Sequence, residues 1–461
     1  MKVTKEPHSF ASAPAETDAF IQKLLRLSAE KGISAAEVFL SSRESFRAMC
    51  QQGAISGYTV NSTRGLSLRG LYNGRMGYAS GEAFDDDAAE QLVSGVIESA
   101  SLTEDKSVQE IYPGAAGYPT VDHYAPDLDR VAPGEKLDFI LNAEKELLSG
   151  DPRVCSAVSD SISTVSSQVR IVNSYGLDLK KRDNLCFAFL NALAKDGQKS
   201  ATGYALRAGR AFDPAESAKM AAEAREKALF MLDAQPVPTG TYRAIFDPNA
   251  MSDLLGAFSG IFSAENAQQN MSLLAGKEGE KIASDAVTLV DDPLLEGGFG
   301  SQAFDDEGVP CRTKEVISGG VLTTLLHNLK TARKAGCDST GNASKASYGA
   351  PVRVAPSNFY FKPGSDGPDA LMAAMGEGLV ITEVSGLHAG ANALSGDFSL
   401  IAEGYTVRGG KKDRPVEQIT VAGNFYSLLR SIRAVGSDLP FLGSSIGSPS
   451  VDVGEIRVAG K

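Results

Sequence analysis

The chain has 461 residues, of which 43% are hydrophobic, so it can form two or three domains that each bury a core. A formal net charge of −12 and a pI near 5.0 argue against nonspecific binding to nucleic acid or to anionic membranes, because both require a basic surface. We expect neither a secretory leader nor a membrane span, since no apolar run approaches about 20 residues. Five scattered cysteines without a CxxC pair favour a reducing, cytoplasmic setting.

The N-terminal half alternates helices with strand-rich blocks. Residues 1–15 are predicted to be a disordered tail. Amphipathic or capped periodicity then predicts helices at 17–32, 85–102, 134–149 and 214–233. Short alternating runs between residues 36 and 81, with a turn at Asn73-Gly74, predict an antiparallel meander. A second block of strands is predicted near 153–164, 167–174, 184–193 and 200–207.

Two segments divide the chain. Residues 103–133 are rich in Pro, Gly and Tyr and read as a connector inside the N-terminal domain, which we assign to residues 16–234. Gln235–Gly240 holds two prolines and a glycine, which cannot continue the preceding helix, so a second domain is assigned to residues 239–461. In that domain we expect an apolar helix at 249–264 and further helices at 322–335 and 423–433. The prediction is an α+β fold of two domains, with antiparallel or mixed sheets and flanking helices.

Few of the residues that could act in catalysis or bind a metal are arranged in a recognisable motif. The four histidines are His8, His123, His327 and His388, and none has a second histidine four or five positions later, as a metal-binding helix requires. Each is interpreted as a structural or surface residue. Gly443–Gly447 matches G-x-S-x-G, but no histidine follows it, which argues against a serine hydrolase.

Glycine-rich and acidic segments are the remaining candidates for ligand binding. No segment has the spacing of a phosphate-binding loop. The acidic runs at 291–292 and 305–307 are interpreted as caps of turns, with a site for a hard cation as the alternative. The run GLHAGANALSGDFSL (386–400) places His388, Ser395 and Asp397 together, but the sequence assigns none of them a catalytic companion.

Four segments carry a resemblance to a known family. They are GLSLRGLYNGRMGYASG (65–81), the stretch 289–336 with its FDDEG motif, the stretch 339–364 that begins STGN, and 386–439 with SGDFS, PVEQITVAGN and VGSDL in order. From about residue 20 to its end, the chain resembles the TldD/PmbA family, once labelled modulators of DNA gyrase and regarded as peptide-processing proteases.

The resemblance implies a division of labour between two branches. In the TldD branch, an HExxxH helix and a cysteine near the C-terminus form a zinc site. The corresponding helix here, 253–266, holds no histidine or cysteine, and Cys337 is the last cysteine of the chain. The chain therefore resembles the PmbA branch, also called TldE, whose members pair with a zinc-bearing TldD-type chain. We expect no catalytic, cofactor-binding or metal-binding residue in this chain, with zinc only in the partner.

Two groups of residues are assigned by the resemblance. The vestigial motif helix is placed, give or take a few residues, at Leu255, Gly256, Ala257, Phe258, Ser259 and Gly260. The candidates for the wall of a substrate chamber are His388, Asn392, Ser395, Gly396, Asp397 and Phe398. Gly386, Gly390 and Gly396 are expected to permit positive φ and a close approach of the backbone.

The leading hypothesis is a non-catalytic subunit of a TldD/TldE-type metalloprotease that helps to enclose unfolded peptides for maturation or degradation. Its partner would be an HExxxH-bearing chain or, in a homodimer, a second copy. The alternatives are a homodimeric peptide-binding or scaffold protein without protease activity, and an independent peptidase with an unrecognised site. Neither nucleic acid nor membrane is an expected partner.

Overall fold

The computed structural model describes residues 14–104, 107–157 and 160–461. Most of the predicted tail, residues 1–13 with His8, lies outside the described residues. The last two residues of that predicted tail are helical instead, because the first helix begins at Pro14.

The first part of the chain folds as helix, three strands, helix. The elements are α1 (Pro14–Glu30), β1 (Ala35–Gln51), β2 (Ala54–Tyr72), β3 (Arg75–Gly81) and α2 (Asp86–Leu102). The predicted turn is confirmed, since Asn73 and Gly74 have φ values of 50° and 74°, as a two-residue hairpin turn requires. The prediction of several short strands was wrong here, because β1 and β2 form one continuous antiparallel hairpin.

The second part repeats this layout. A short helix α3 (Pro126–Arg130) precedes α4 (Pro133–Ser149), β4 (Val154–Ala157), β5 (Asp160–Asn173), β6 (Asp178–Asp196), β7 (Lys199–Gly209) and α5 (Glu216–Met231). We call α1 to α2 the first half and α4 to α5 the second half. Antiparallel pairing of β1 with β5 joins the halves into one seven-stranded sheet, in which β3, β2, β1, β5 and β6 are neighbours in that order and β4 and β7 both pair with β6.

Each half has its own core. In the first half, α1 and α2 pack on one side of the sheet around Leu24, Leu66 and Val96, which are fully buried. In the second half, α4 and α5 cover a separate cluster that includes Ile140 and Leu190. Both clusters are made where the apolar stripe of a helix meets the apolar face of the strands.

The remainder of the chain forms the C-terminal region. Its elements are β8 (Gly240–Phe246), α6 (Pro248–Phe258), a 3₁₀ turn (Ser259–Phe262), α7 (Ala264–Gln268), β9 (Leu289–Asp291), β10 (Lys314–Ser318), β11 (Val321–Leu322), α8 (Leu329–Ala335), β12 (Ala343–Ser344), β13 (Arg353–Val354), β14 (Phe359–Phe361), α9 (Pro368–Met375), β15 (Gly378–Ser385), α10 (Leu387–Gly390), β16 (Asp397–Arg408), β17 (Lys411–Asn424), α11 (Phe425–Ser431), β18 (Ala434–Val435), β19 (Ile446–Gly447) and β20 (Val451–Ala459).

Two sheets enclose the largest core of the molecule. A six-stranded sheet runs β17-β16-β15-β8-β20-β18, and an added pairing of β17 with β20 closes five of its strands into a ring. A five-stranded sheet runs β11-β10-β9-β14-β19. Helix α6 contacts both sheets, through β15 and through β19. The α+β class with mixed sheets and flanking helices is therefore confirmed.

Three predicted helices differ from the observed ones. The helix predicted at 249–264 ends at Phe258, the one predicted at 322–335 is shortened to α8, and the one predicted at 423–433 is shortened to α11. In each case part of the predicted helix lies in a strand or a turn. The prediction was wrong there because a short, buried apolar run has no periodicity that distinguishes a helix from a strand.

Candidate functional site

Helix α6 begins directly after β8 and carries the predicted vestigial window. The carboxylate of Asp247 caps its first turn by accepting a hydrogen bond of 2.9 Å from the amide of Ala250. The helix ends at Phe258 and tightens into the 3₁₀ turn that follows. The window Leu255–Gly260 therefore spans the helix end and the turn, and does not lie on one continuous helix.

The side chains of this window are mostly apolar. Leu255 and Phe258 are fully buried. A Cβ on Gly256 would lie 4.0 Å from Cγ1 of Ile446, so β19 covers this side of the helix. The hydroxyl of Ser259 donates to the carbonyl of Gly256 at 2.9 Å, which occupies its proton within the chain.

The residues present do not fit a zinc ion. Zinc in proteins takes histidine, cysteine and carboxylate ligands, and the window supplies none. Within residues 14–104, 107–157 and 160–461, no three His, Cys, Asp or Glu side chains are grouped so that they could hold a metal ion.

The glycine-rich run at 386–398 folds into a compact loop between β15 and β16. Gly386 has a φ of 83° and precedes the single turn of α10, and Gly396 has a φ of 82° immediately before β16. The Asn392 side chain shapes the loop, because its Oδ1 accepts hydrogen bonds from the amides of Leu394 and Ser395 at 3.0 and 3.2 Å. Asn392 acts as a turn former, in the manner of an Asx turn.

The other polar candidates of this loop are held by local contacts. Asn424 donates from Nδ2 to the carboxylate of Asp397 at 2.9 Å and to the carbonyl of Ser395 at 2.8 Å. Hydrogen bonds from Asn424 and Ser395 hold the pKa of Asp397 below its usual range, so its exposed carboxylate is ionised at neutral pH. His388 is exposed on α10. These side chains present an anionic and polar rim to solvent.

An aromatic cluster joins the loop to the end of α6. The rings of Phe258 and Phe425 stack at 4.6 Å, and Phe398 meets Phe258 edge-on at 6.3 Å. Phe398 is 3% exposed, so among the predicted wall residues its ring belongs to the core and does not face a ligand. The structure thus brings the vestigial window and the candidate wall together, through buried rings.

Sequence reasoning missed the partners that fix this loop. Gly396 lies against the ring of Tyr426, and a Cβ there would be 2.4 Å from that ring. The hydroxyl of Tyr426 in turn accepts a hydrogen bond of 3.3 Å from the amide of Leu273. The adjacent sequence Asn424-Phe425-Tyr426, which ends a strand and starts a helix, is the signal from which these contacts could have been suspected.

The remaining candidates lie elsewhere. His123, in the connector, lies 3.5 Å from Asp183, and burial lowers its pKa. His327 is buried two residues before the start of α8, and burial lowers its pKa as well. The turn-capping interpretation is confirmed for Asp305, whose carboxylate accepts from the amides of Glu307, Val309 and Ala343 at 2.9, 3.0 and 3.0 Å.

Within the described residues, no helix is both long and apolar enough to cross a membrane.

Sequence models of all three domains of one metallopeptidase family match this chain. PmbA/TldA metallopeptidase domain 1 matches residues 36–100, the central domain matches 126–232 and the C-terminal domain matches 239–460. The first two matches fall on the first and second halves of the N-terminal sheet.

Individual proteins agree with these matches. The metalloprotease PmbA of Escherichia coli O157:H7 is 27% identical over 435 residues, covering 92% of each chain. A Thermotoga maritima protein of known structure, described as a modulator of DNA gyrase, is 31% identical with a TM-score of 0.89, covering 96% of this chain and 100% of its own. TldE of Thermococcus kodakarensis has a TM-score of 0.85 over 96% of this chain and 100% of its own; at 21% identity this likeness shows the fold alone.

Proposed function

Because this chain belongs to the PmbA/TldD metallopeptidase family, we propose that it is the subunit without a metal site in a two-chain peptidase. Its partner would be a family member that carries HExxxH and supplies the zinc. This chain would help to enclose unfolded peptides that the partner cleaves.

One observation carries the proposal. The segment that corresponds to the metal motif is packed against apolar side chains and holds no metal ligand. Phe258, Phe398 and Phe425 fill the space at its end. Placing a catalytic ion there would require three new ligands and removal of this packing, and metal sites also depend on surrounding hydrogen bonds that orient the ligands.

The loop at 386–398 suits a wall that contacts a peptide. It exposes backbone and small polar groups, which bind extended chains with little preference for sequence. His388, Asn392 and Asp397 are exposed, whereas Ser395 and Gly396 lie deeper. We assign the exposed three, with Ala393 between them, to the wall.

The test compares the purified chain with a co-expressed pair. We expect the chain alone to leave an unfolded peptide intact with or without added zinc, and to cleave it once an HExxxH-bearing relative from the same organism is co-purified. Replacing the motif glutamate of that relative by Gln should abolish cleavage by the pair. Zinc-dependent cleavage by this chain alone, or a failure of the two chains to associate, would refute the proposal.

The wall is tested separately by filling it. Ala393→Trp adds an indole at an exposed position of the loop, and we expect it to lower the turnover of the pair severalfold without dissociating it. Ala116→Trp, at an exposed position of the connector, is the matched control and should leave turnover unchanged. Equal activity of both variants would show that the loop does not line the chamber.

A further inference from the structure

A cavity of about 310 Å³ lies between the first half of the N-terminal sheet and the C-terminal region. Residues of β2 and β3 form one side of it, and Lys345 with the segment 348–351 forms the other, so we call it the Lys345 cavity. Its volume falls at the lower end of the range for small-ligand sites. Within the described residues, neither the loop at 386–398 nor α6 lines it.

Two serine hydroxyls lie side by side on the sheet surface of the Lys345 cavity. Ser67 of β2 is directly opposite Ser80 of β3 in the antiparallel register, so both side chains project from the same face of the sheet. Among the described residues, neither of these two hydroxyls has an acceptor for its proton. The hydroxyls of Tyr78 and Tyr348, which also line the cavity, already donate to other side chains. The two serines can therefore donate to a ligand.

Lys345 alone carries a charge among the described residues that line the cavity. Its backbone amide donates to Oδ2 of Asp306 at 2.8 Å, and its Nζ lies 4.5 Å from the centroid of the Phe39 ring, so its position is fixed. Nζ donates to Oγ of Ser67 at 2.7 Å. Within the described part of the chain, Nζ has no other hydrogen-bond partner and no carboxylate within ion-pair distance. Since an ammonium has three protons to donate, two of them remain unused.

The carboxylates around Lys345 already have cationic partners. Glu37 and Glu307 both pair with Arg69, and Asp306 pairs with a lysine of β6. Burial lowers the pKa of Lys345 to about 8, and the charge of Arg69 adds to this effect. Lys345 is therefore still mostly an ammonium at pH 7, at a partly desolvated place where a charge without a direct counterion is costly.

We propose that the Lys345 cavity binds the carboxylate of a small ligand, whose oxygens accept hydrogen bonds from Nζ of Lys345 and from the hydroxyls of Ser67 and Ser80. The free side-chain polar groups of the described lining are all donors, which selects an anion. One ammonium matches the single charge of a carboxylate. A phosphate group carries about −1.5 to −2 at pH 7 and is usually held by clustered arginines or a helix N-terminus, neither of which the described lining contains.

Two sources can supply such a carboxylate, namely a small organic acid and the C-terminus of a short peptide. The second source would connect the cavity to the peptide cleavage of the proposed function, and the first would not. The residues of the cavity are distinct from those of the loop at 386–398 and of α6. The inference therefore stands whether or not a metal-bearing partner exists.

The experiment is calorimetric titration of the purified full chain at pH 7 with acetate, inorganic phosphate, N-acetylated trialanine and the C-terminal amide of that peptide. We expect acetate and the free-acid peptide to bind, and the amide to bind at least about tenfold more weakly than the acid. Tighter binding of the acid peptide than of acetate would identify a peptide end as the source, and equal binding would identify a small acid. Equal binding of acid and amide, tighter binding of phosphate than of acetate, or no binding of either carboxylate would overturn the proposal.

Variants locate the bound carboxylate. Lys345→Gln removes the charge but keeps a donor for Ser67, and it should raise the dissociation constant at least about tenfold. Lys334→Gln changes an exposed lysine of α8 and is the matched control, which should bind as the wild type does. Ser80→Ala, at an exposed position, should weaken binding severalfold without changing thermal unfolding. Unchanged affinity in Lys345→Gln would refute the site; if that variant does not fold, unchanged affinity in Ser80→Ala would do so.

The pH dependence of binding is a second readout. Because the carboxylate binds the ammonium form, affinity should fall as the pH rises through about 8, where Lys345 loses its proton. The charged and titratable groups around the cavity are Glu37 of β1, Arg69 of β2, Tyr78 of β3, residues 305–307 and Lys330 of α8. Lys345→Gln keeps all of these groups, so the difference between the two pH profiles belongs to Lys345. Identical profiles would contradict its role.

Discussion

The two halves of the N-terminal sheet share one layout but differ in how they meet the C-terminal region. Each half places a helix, a hairpin-paired set of long strands and a second helix around a core of its own. In the first half Arg69 of β2 is 4% exposed and forms ion pairs with Glu37 at 2.7 Å and with Glu307 at 2.8 Å. In the second half Lys181 of β6 pairs with Asp306 at 2.8 Å while remaining partly exposed.

The comparison shows that two adjacent acidic residues of one motif form ion pairs with different halves, and that one of these pairs is buried whereas the other is partly exposed. Asp306 and Glu307 belong to the FDDEG segment, and each holds a cation from a different half. The cost of breaking an ion pair depends on its burial, because a buried charge that loses its partner cannot be stabilised by water. The buried pair of Arg69 with Glu307 links the first half to the C-terminal region, and the partly exposed pair of Lys181 with Asp306 links the second half.

The largest expected effect comes from breaking the buried pair. Glu307→Gln should lower the free energy of unfolding by about 3–5 kcal/mol, because Arg69 would keep a buried charge with one partner fewer. Asp306→Asn is the matched substitution in the neighbouring residue and should cost about 1 kcal/mol, as for partly exposed pairs. Denaturant unfolding measures both. Equal costs would contradict the difference between the halves.

A smaller effect tests what the halves have in common. Gly77 of β3 and Gly203 of β7 each lie against the second helix of their half, where a Cβ would come within 1.9 Å of the Val96 carbonyl oxygen and 2.3 Å of the Ala228 amide nitrogen. Because backbone must shift to admit a methyl group, each Gly→Ala variant should lose about 1–3 kcal/mol or more.

Controls for this prediction exist on the same strands. A Cβ on Gly81 would meet only Leu92 Cδ2, at 3.8 Å, and one on Gly209 would have nothing within 4 Å. Gly81→Ala and Gly209→Ala should therefore change thermal stability little. If they cost as much as the Gly77 and Gly203 variants, loss of glycine flexibility and not helix packing would explain the result.

The last expected effect develops only as the pH rises, and it concerns a carboxyl group of the second half. Asp160 on β5 is fully buried, and its Oδ1 accepts from the Asn191 amide at 2.8 Å. Among the residues that the structure describes, its Oδ2 has no hydrogen-bond partner. Burial raises the pKa of Asp160 to about 7. The unfolded carboxyl titrates near pH 4, so between these values the folded chain holds a proton that the unfolded chain has lost. Raising the pH through this interval lowers the free energy of unfolding.

Asp160→Asn removes this titration. The variant should become progressively more stable than the wild type as the pH rises from about 4 to 8, by a difference on the order of 4 kcal/mol at most. Parallel denaturant titrations at several pH values give the difference directly. A difference that stays constant with pH would show that Asp160 is ionised in the folded chain.

Local sequence patterns determined much of the secondary structure. The Asn73-Gly74 turn follows from the tolerance of both residues for positive φ, and the helices at α2 and α4 follow from periodicity and their first-turn residues. The lack of a metal motif in α6 was also readable, because it depends on which residue types are present. The four family segments were sufficient to identify the family.

Tertiary structure alone decided the rest, because the deciding contacts join residues far apart in the chain. The pairing of β1 with β5 that merges the halves, the burial of Arg69 beside Glu307, and the stack of Phe258 on Phe425 have no signal within a local window. The helix predicted through residue 264 ended early for the same reason, since packing and not periodicity selects between helix and turn in a buried apolar run. The sequence determined which side chains could act, and the packing of distant segments decided which of them meet.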